Sequence, residues 1–405
     1  MKRLSTYGIG QIYFFFRSEL RMIFKDAGAI VIFIIALIAY PLLYSLAYEK
    51  EVIQDIPIAV VDLDHSALSR QASRMIDATE QLTVAYKPVS LKDAEQLFYA
   101  GKVKGVVLIP SYFEKDVYSG KQANFVIFSD ASYFLLYKQV YAGSVYAMGT
   151  LNAGIEIKRM LAEGKTLKQS LEQQDPLKVE VRNLYNPAGG YGSFVVPGII
   201  ILIIQQTLLI GIGMLGGTSR EQNMFHILHE KVGERWGSVY VILGKSSAYV
   251  FVYLFNALFD MVLLHHWFNL PDNSNYISIF MILIPFLYTV SFMGLAISVF
   301  FRERVYSLLF MVFLSPIVLF ISGLSWPALA IPKYLYAVSH IFPSTSMIPA
   351  YVRMRISGSS IDQVSAEWSF ILIQMVVYFI IACLVYKFSM KYFNRSTLVA
   401  ENSDE

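Results

Sequence analysis

Residues Ala27 to Tyr48 read AGAIVIFIIALIAYPLLYSLAY, and this stretch decides the fold class. It carries no charge, and about 20 such residues cross a hydrocarbon core ~30 Å thick at ~1.5 Å per residue. A polar gap of about 140 residues follows. Five more apolar stretches then fill the remainder, at Ser193–Leu215, Ser246–Leu264, Ile277–Phe300, Tyr306–Leu324 and Trp368–Tyr386. The layout predicts an α-helical integral membrane protein with six transmembrane helices. Residues 49–192 form a domain inserted between the first two, the other spans occupy 193–388, and a tail runs over 389–405.

Composition agrees. Hydrophobic residues make up 56% of the chain and charged residues 16%, against ~25% charged in an ordinary soluble domain. A formal net charge of +3 is too small to argue for nucleic acid. The single cysteine, Cys383, lies in the last apolar stretch, so no disulfide forms within one chain and the insert must be held by its own core. About 26 residues precede the first apolar run, which exceeds the 7–15 residues of a signal-peptide core, so it reads as an anchor rather than a cleaved leader.

Basic residues orient the spans. Lys2, Arg3, Arg17, Arg21 and Lys25 precede the first span. Arg220, Lys231, Arg235 and Lys245 lie between the second and third, Arg302 and Arg304 between the fourth and fifth, and Lys387, Lys391 and Arg395 in the tail. The loop from His265 to Tyr276 has neither Lys nor Arg, and the fifth-to-sixth loop has Lys333, Arg353 and Arg355. Both termini are therefore expected in the cytoplasm of a multi-pass inner (plasma) membrane protein, with the insert periplasmic or extracellular.

Residues 1–26 include a helical segment. At ~100° per residue, Ile12, Phe16, Leu20, Ile23 and Phe24 gather on one side, and Gln11, Arg17, Ser18, Arg21 and Lys25 on the other. A helix apolar beneath and basic above lies in the membrane interface. Arg17, Arg21 and Lys25 mark the basic upper face of this interfacial helix, and membrane lipids are expected partners.

The insert reads as mixed α/β. Ile58–Val61, Leu82–Ala85, Val103–Ile109 and Phe125–Phe128 are short strand-like runs, whereas Ser66–Ala78 and Leu91–Tyr99 have helical spacing. Ser90 reads as an N-cap with Asp93 three residues on, and Tyr133–Ala162 as one long helix projecting toward the membrane. Asp62, Asp64 and His65 cluster at a strand-to-helix turn, where capping explains the acids better than a metal does.

Several catalytic signals fail on inspection. Gly244-Lys245-Ser246 ends like a phosphate loop, but Val239 stands where its first glycine should be, and the segment enters a membrane span instead of following a strand. His226 and His229 could share a helix face but have no third ligand, and His265 and His266 are weak metal candidates. No metal site and no catalytic residue is expected.

Inside the spans, Asp260 is the plainest ionisable residue, and a carboxylate there must face the bundle interior, a partner or water. It reads either as a polar point on a translocation path or as a packing hydrogen bond. Gln205 and Gln206 carry the same two readings.

These residues together resemble a type-2 ABC transporter permease, of the subgroup with a large extracytoplasmic domain between the first two spans. The resemblance covers nearly the whole chain. It rests on Ile58-Ala59-Val60-Val61-Asp62-Leu63-Asp64, Ser69-Arg70 and Gly105-Val106-Val107-Leu108-Ile109-Pro110. It continues through Arg182-Asn183-Leu184-Tyr185-Asn186-Pro187, Phe194-Val195-Val196-Pro197-Gly198, Arg220-Glu221-Gln222 and Gly244-Lys245, and ends with Ser322-Gly323-Leu324, Pro327, Ile331-Pro332 and Pro343. The family usually continues Arg-Glu-Gln with Gly-Thr, where this chain has Asn223-Met224.

The resemblance implies an exporter subunit that moves amphiphilic or hydrophobic small molecules (drugs, lipids or lipid-linked compounds) outward. It would have no cofactor of its own, with ATP and Mg on a separate ATPase subunit. A second permease copy or paralogue would complete the path, and a periplasmic adaptor could dock on the insert. Within the cytoplasmic loop 216–245, Arg220, Glu221, Gln222, Phe225 and Leu228 would couple to the ATPase. The re-entrant segment 325–349, with Gly323, Pro327, Pro332 and Pro343, would shape the outer gate. Two other classes stand beside this one: a membrane-anchored binding or scaffold protein, and an intramembrane enzyme, for which converging polar residues are too few.

Overall fold

The computed structural model describes residues 2–177, 179, 181–186, 189–222 and 236–401. Among these described residues six helices are long and apolar enough to cross a membrane: Ala27–Ala47, Tyr191–Glu221, Gly237–Trp267, Tyr276–Ser298, Arg304–Ile321 and Ile361–Ser389. They are called the first to sixth spans below. The chain divides into two compact units, residues 1–51 with 183–405, and residues 52–182.

Residues 52–182 form a three-layer α/β unit. Its sheet has the order β2-β1-β3-β4, with β1 Ile56–Asp62, β2 Leu82–Tyr86, β3 Gly105–Ile109 and β4 Val126–Ser129. The first three strands are parallel and β4 is antiparallel to β3. Alternation along β1 separates two cores, as a period of two requires. Ile58 and Val60 pack with Leu68, Ala72 and Ile76 of helix Ala67–Asp77, and with Val140, Ala147 and Leu151 of helix Phe134–Ala162. Ala59 and Val61 pack with Ala94 of helix Leu91–Tyr99. The long helix thus covers its own sheet, which is what holds it. Two short helices, Phe113–Tyr118 and Leu167–Gln174, escape the sequence reading because neither has a full amphipathic period.

Caps behave as side-chain chemistry dictates. Ser90 accepts from the backbone N–H of Asp93 and Ser66 from that of Ser69. Asp62 accepts from the N–H groups of Asp64 and His65 and from the Ser69 hydroxyl, and Asp64 accepts from the N–H of Glu114. These carboxylates organise a turn. No group of three metal-ligating side chains occurs among the described residues.

In the other unit the second span is the hub. Its buried residues meet the first, fourth and fifth spans and helix Ser344–Ile356, whereas the fifth and sixth spans keep most of their apolar surface exposed. Glu51 accepts from the N–H of Ser193 (3.0 Å) and from its hydroxyl (2.6 Å), which caps the second span at its first turn. Two π-turns interrupt the spans, at Val31–Ile35 and Phe259–Leu264. The amide of Asn256 donates to the carbonyl of Phe33 in the first of them.

Three boundaries differ from the sequence reading. The second span continues to Glu221 and the third starts at Gly237, so helix occupies both ends of the expected loop 216–245. The insert as a compact body ends at Arg182 rather than at 192. The N-terminal helix, Lys2–Lys25, buries Gln11, Phe15, Glu19 and Ile23. Gln11 is therefore on the packed face, while Phe24 is exposed.

Candidate functional site

The buried face of the N-terminal helix meets the third span. Gly244 permits the approach: a Cβ there would lie 2.6 Å from Cβ of Phe15 and 2.7 Å from the carbonyl oxygen of Ile12. At this crossing Lys245 Nζ lies 2.9 Å from Glu19 Oε2, with side chains only 8% and 2% exposed. The Tyr249 hydroxyl donates to the other oxygen of Glu19. A buried carboxylate survives only when paired and hydrogen-bonded, and both conditions are met. The family resemblance explained Lys245 only as a motif residue; its partner on the N-terminal helix was not foreseen. One signal existed, since Glu19 stands between Phe15 and Ile23 on the packed stripe.

A second cross-brace lies beside the first. Arg304, opening the fifth span, makes a bidentate pair with Asp26 (Nη1 to Oδ2 2.5 Å, Nη2 to Oδ1 2.9 Å), just ahead of the first span. Its Nη1 also reaches the Thr218 hydroxyl at 3.4 Å. The hydrogen bond from Arg304 holds the Asp26 carboxyl below the usual carboxylate range, against the burial that would raise it. Glu221 accepts from the backbone N–H of Arg304 (2.7 Å) and so caps the fifth span. Gly217 makes room, because a Cβ there would stand 2.7 Å from the Arg304 backbone.

Among the expected coupling residues, Arg220 and Glu221 thus belong to the last turn of the second span, not to a loop. Arg220 donates to the Ser389 hydroxyl at the end of the sixth span (3.0 Å). Gln222 caps the same helix and is exposed. Phe225 and Leu228, like His226 and His229, lie outside the described residues. Arg17, Arg21 and Lys25 are exposed and line a groove with Thr218 and Gln222, so of the expected coupling residues Gln222 alone, among the described ones, shares a groove with the cations of the N-terminal helix.

The polar residues within the spans do not converge. Gln205 Oε1 accepts from the N–H of Ser344 (2.8 Å), and Gln206 Oε1 from the Ser315 hydroxyl (3.2 Å). The sixth span supplies matching anchors: Gln374 donates to the carbonyl of His340 (2.6 Å) and Tyr378 to that of Ile341 (2.5 Å). Residues 340–344 therefore sit level with the middle of the second and sixth spans. Non-helical backbone at such depth needs protein partners, and Gln205, Gln374 and Tyr378 provide them, while Gln206 ties the second span to the fifth. Gly323 (φ +85°) makes the turn that leaves the fifth span. Pro327, Pro332 and Pro343 each precede a short helical turn or helix in the same segment. They shape backbone and do not cluster.

Asp260 is fully buried in the second π-turn, and neither carboxylate oxygen has a hydrogen-bond partner among the described residues. Nearby, the fully buried Arg355 donates to the Met261 carbonyl and to Ser274 Oγ (2.9 Å), and pairs with Asp272 Oδ1 at 3.3 Å. His265 Nδ1 meets the Asp260 carbonyl at 3.0 Å while its Nε2 is unpartnered, and the Tyr351 hydroxyl is likewise buried without a partner. Although burial pushes Asp272 up, bonds from Ser274 and Tyr276 together with Arg355 hold its carboxyl below the ordinary range. Sequence placed Arg355 in a loop, and its burial was not foreseen.

Six candidate spans among the described residues, with the second buried at their hub and ionic pairs buried between helices, define a multi-helix membrane protein. Residues 28–384 match the family described as ABC-2 family transporter protein, and the chain belongs to that family. Members are ABC-2 type permeases, the membrane subunits of ABC transporters, without an ATPase domain of their own. No match was found among curated proteins.

Proposed function

We propose that this chain is the membrane subunit of an ATP-driven exporter. It would lie with both termini in the cytoplasm of the inner (plasma) membrane and with residues 52–182 outside. ATP and Mg belong to a separate ABC ATPase, and a second permease copy or paralogue completes the path. The cargo is an amphiphilic or hydrophobic small molecule. The outward domain would offer the docking face for a periplasmic adaptor.

The observation that carries this reading is the pair of braces at one end of the bundle. Glu19–Lys245–Tyr249 joins the N-terminal helix to the third span, and Asp26–Arg304–Glu221 joins the first, second and fifth. Both flank the point where the chain leaves the second span at Gln222. A push delivered at the 222–236 connection reaches several spans at once through rigid, hydrogen-bonded contacts, which is the demand that nucleotide-driven closure places on a permease. Arg220, Glu221 and Gln222 sit at that joint, with Phe225 and Leu228 proposed to face the ATPase.

Within the path, Gln205 acts as a brace for segment 340–344 and Gln206 for the fifth span. Asp260 is the polar point left uncommitted, and the segment from Gly323 to Pro343 forms the outer gate. Charge reversal tests the joint. Glu221→Lys should abolish ATP turnover stimulated by the permease while leaving membrane insertion intact, and Glu221→Gln, which keeps an acceptor for the Arg304 N–H, should retain most of it. Undiminished transport by Glu221→Lys would sink the assignment.

A further inference from the structure

We propose that the groove between the basic face of the N-terminal helix and the end of the second span binds the headgroup of an anionic phospholipid. The groove encloses about 840 Å³, within the range of small-ligand sites. Arg17, Arg21 and Lys25 follow one another at four-residue intervals along its wall. This spacing stacks them on one helix face. All three are exposed, and none takes part in an ion pair or hydrogen bond among the described residues.

Among the described residues Asp26 is the one acid of the lining, and it is already spent: Arg304 takes both of its oxygens, and the Ala29 N–H donates to Oδ1 as well. The groove therefore carries uncompensated positive charge. The rest of its lining mixes the polar Ser18, Thr218 and Gln222 with the apolar Tyr13, Phe14 and Met22 on the helix and Leu215 on the second span. Three cations beside the apolar Tyr13, Phe14, Met22 and Leu215 suit a phosphate with its acyl chains attached, whereas a free phosphate ester would leave those apolar side chains unused. The helix runs directly into the first span at Asp26–Ala27, so the groove opens at the level of lipid headgroups. A lipid seated there would bridge the N-terminal helix and the Thr218–Gln222 turn, the joint proposed above for coupling. The binding itself depends only on the membrane placement of this unit, not on the transport reading.

The test uses the purified full chain without any ATPase, so its result is independent of transport. Phosphatidylglycerol and phosphatidylcholine are titrated in detergent, and bound lipid is counted by native mass spectrometry. Each cation near an anionic lipid is worth about five-fold. R17Q, R21Q and K25Q should each weaken phosphatidylglycerol binding about five-fold and the triple variant about 100-fold. R17K/R21K should bind as the parent does. Thermal melting of the triple variant should match the parent, because the three side chains are exposed. Equal retention of phosphatidylcholine, full binding by the triple variant, or displacement of the lipid by millimolar glycerol phosphate would each overturn the proposal.

Discussion

Removing Lys245 and leaving Glu19 in place is the perturbation on which the packing of the N-terminal helix turns. At 2.9 Å, two unit charges in an effective dielectric of ~20 attract by roughly 6 kcal/mol. Desolvating both ions costs several kcal/mol each, so the intact pair is close to neutral. A single survivor is not, because nothing then offsets its burial. Lys245→Met should therefore cost about 3–5 kcal/mol, and Glu19→Gln a comparable amount, while Glu19→Gln/Lys245→Met should recover most of the loss. The Tyr249 hydroxyl keeps an acceptor in the double variant if the Gln carbonyl faces it. Equilibrium unfolding in mild detergent across the four proteins gives the coupling energy directly. Single variants within about 0.5 kcal/mol of the parent would refute the reasoning, as would a double variant no better than the worse single one.

Further outcomes follow from the same contacts. Gly244→Leu should push the N-terminal helix from the third span and cost about 1–3 kcal/mol by overpacking, measured by the same unfolding assay. Asp26→Asn removes a carboxylate held below its ordinary range, so the parent's advantage is full above the unfolded value near ~3.9 and is lost as pH falls through the lower folded value. Melting curves of the two proteins should converge below about pH 4. Gln205→Leu leaves the buried N–H of Ser344 without an acceptor and should cost about 1–3 kcal/mol, read as faster proteolysis of the 323–343 segment. With Cys383 replaced by Ser, single cysteines at the exposed Gln222 and Lys168 should label oppositely with an impermeant reagent on intact cells. Equal labelling would refute the orientation.

The membrane architecture was legible because length and hydropathy alone decide whether a helix can cross a bilayer. Span ends were not, wherever a buried charge interrupts an apolar run. Lys245 made the third span seem to start at Ser246, yet its charge is satisfied by Glu19, more than 200 residues away in the chain. Arg220 and Glu221 similarly shortened the second span, because sequence cannot show that one reaches Ser389 and the other the Arg304 backbone. The strands of the α/β unit were readable from short β-branched runs, such as the one that forms β1. The faces of the N-terminal helix were read about one position out of register, since Gln11 and Glu19 look polar until their neighbours on the third span are known. Asp62, which caps a turn, was readable at once from its local chemistry. The cluster of Arg355, Asp272 and His265 was not, because it joins distant loops and spans.

The claim at the centre of this account is that the chain acts through a separate ATPase docked beside Gln222. Affinity purification from native membranes, followed by assay of the eluate for Mg-dependent ATP hydrolysis, tests it most directly. An ABC ATPase should co-elute with the parent chain, with turnover that Glu221→Lys abolishes at unchanged expression. A monodisperse chain that carries no ATPase, or whose ATPase turns over identically with Glu221→Lys, would contradict it.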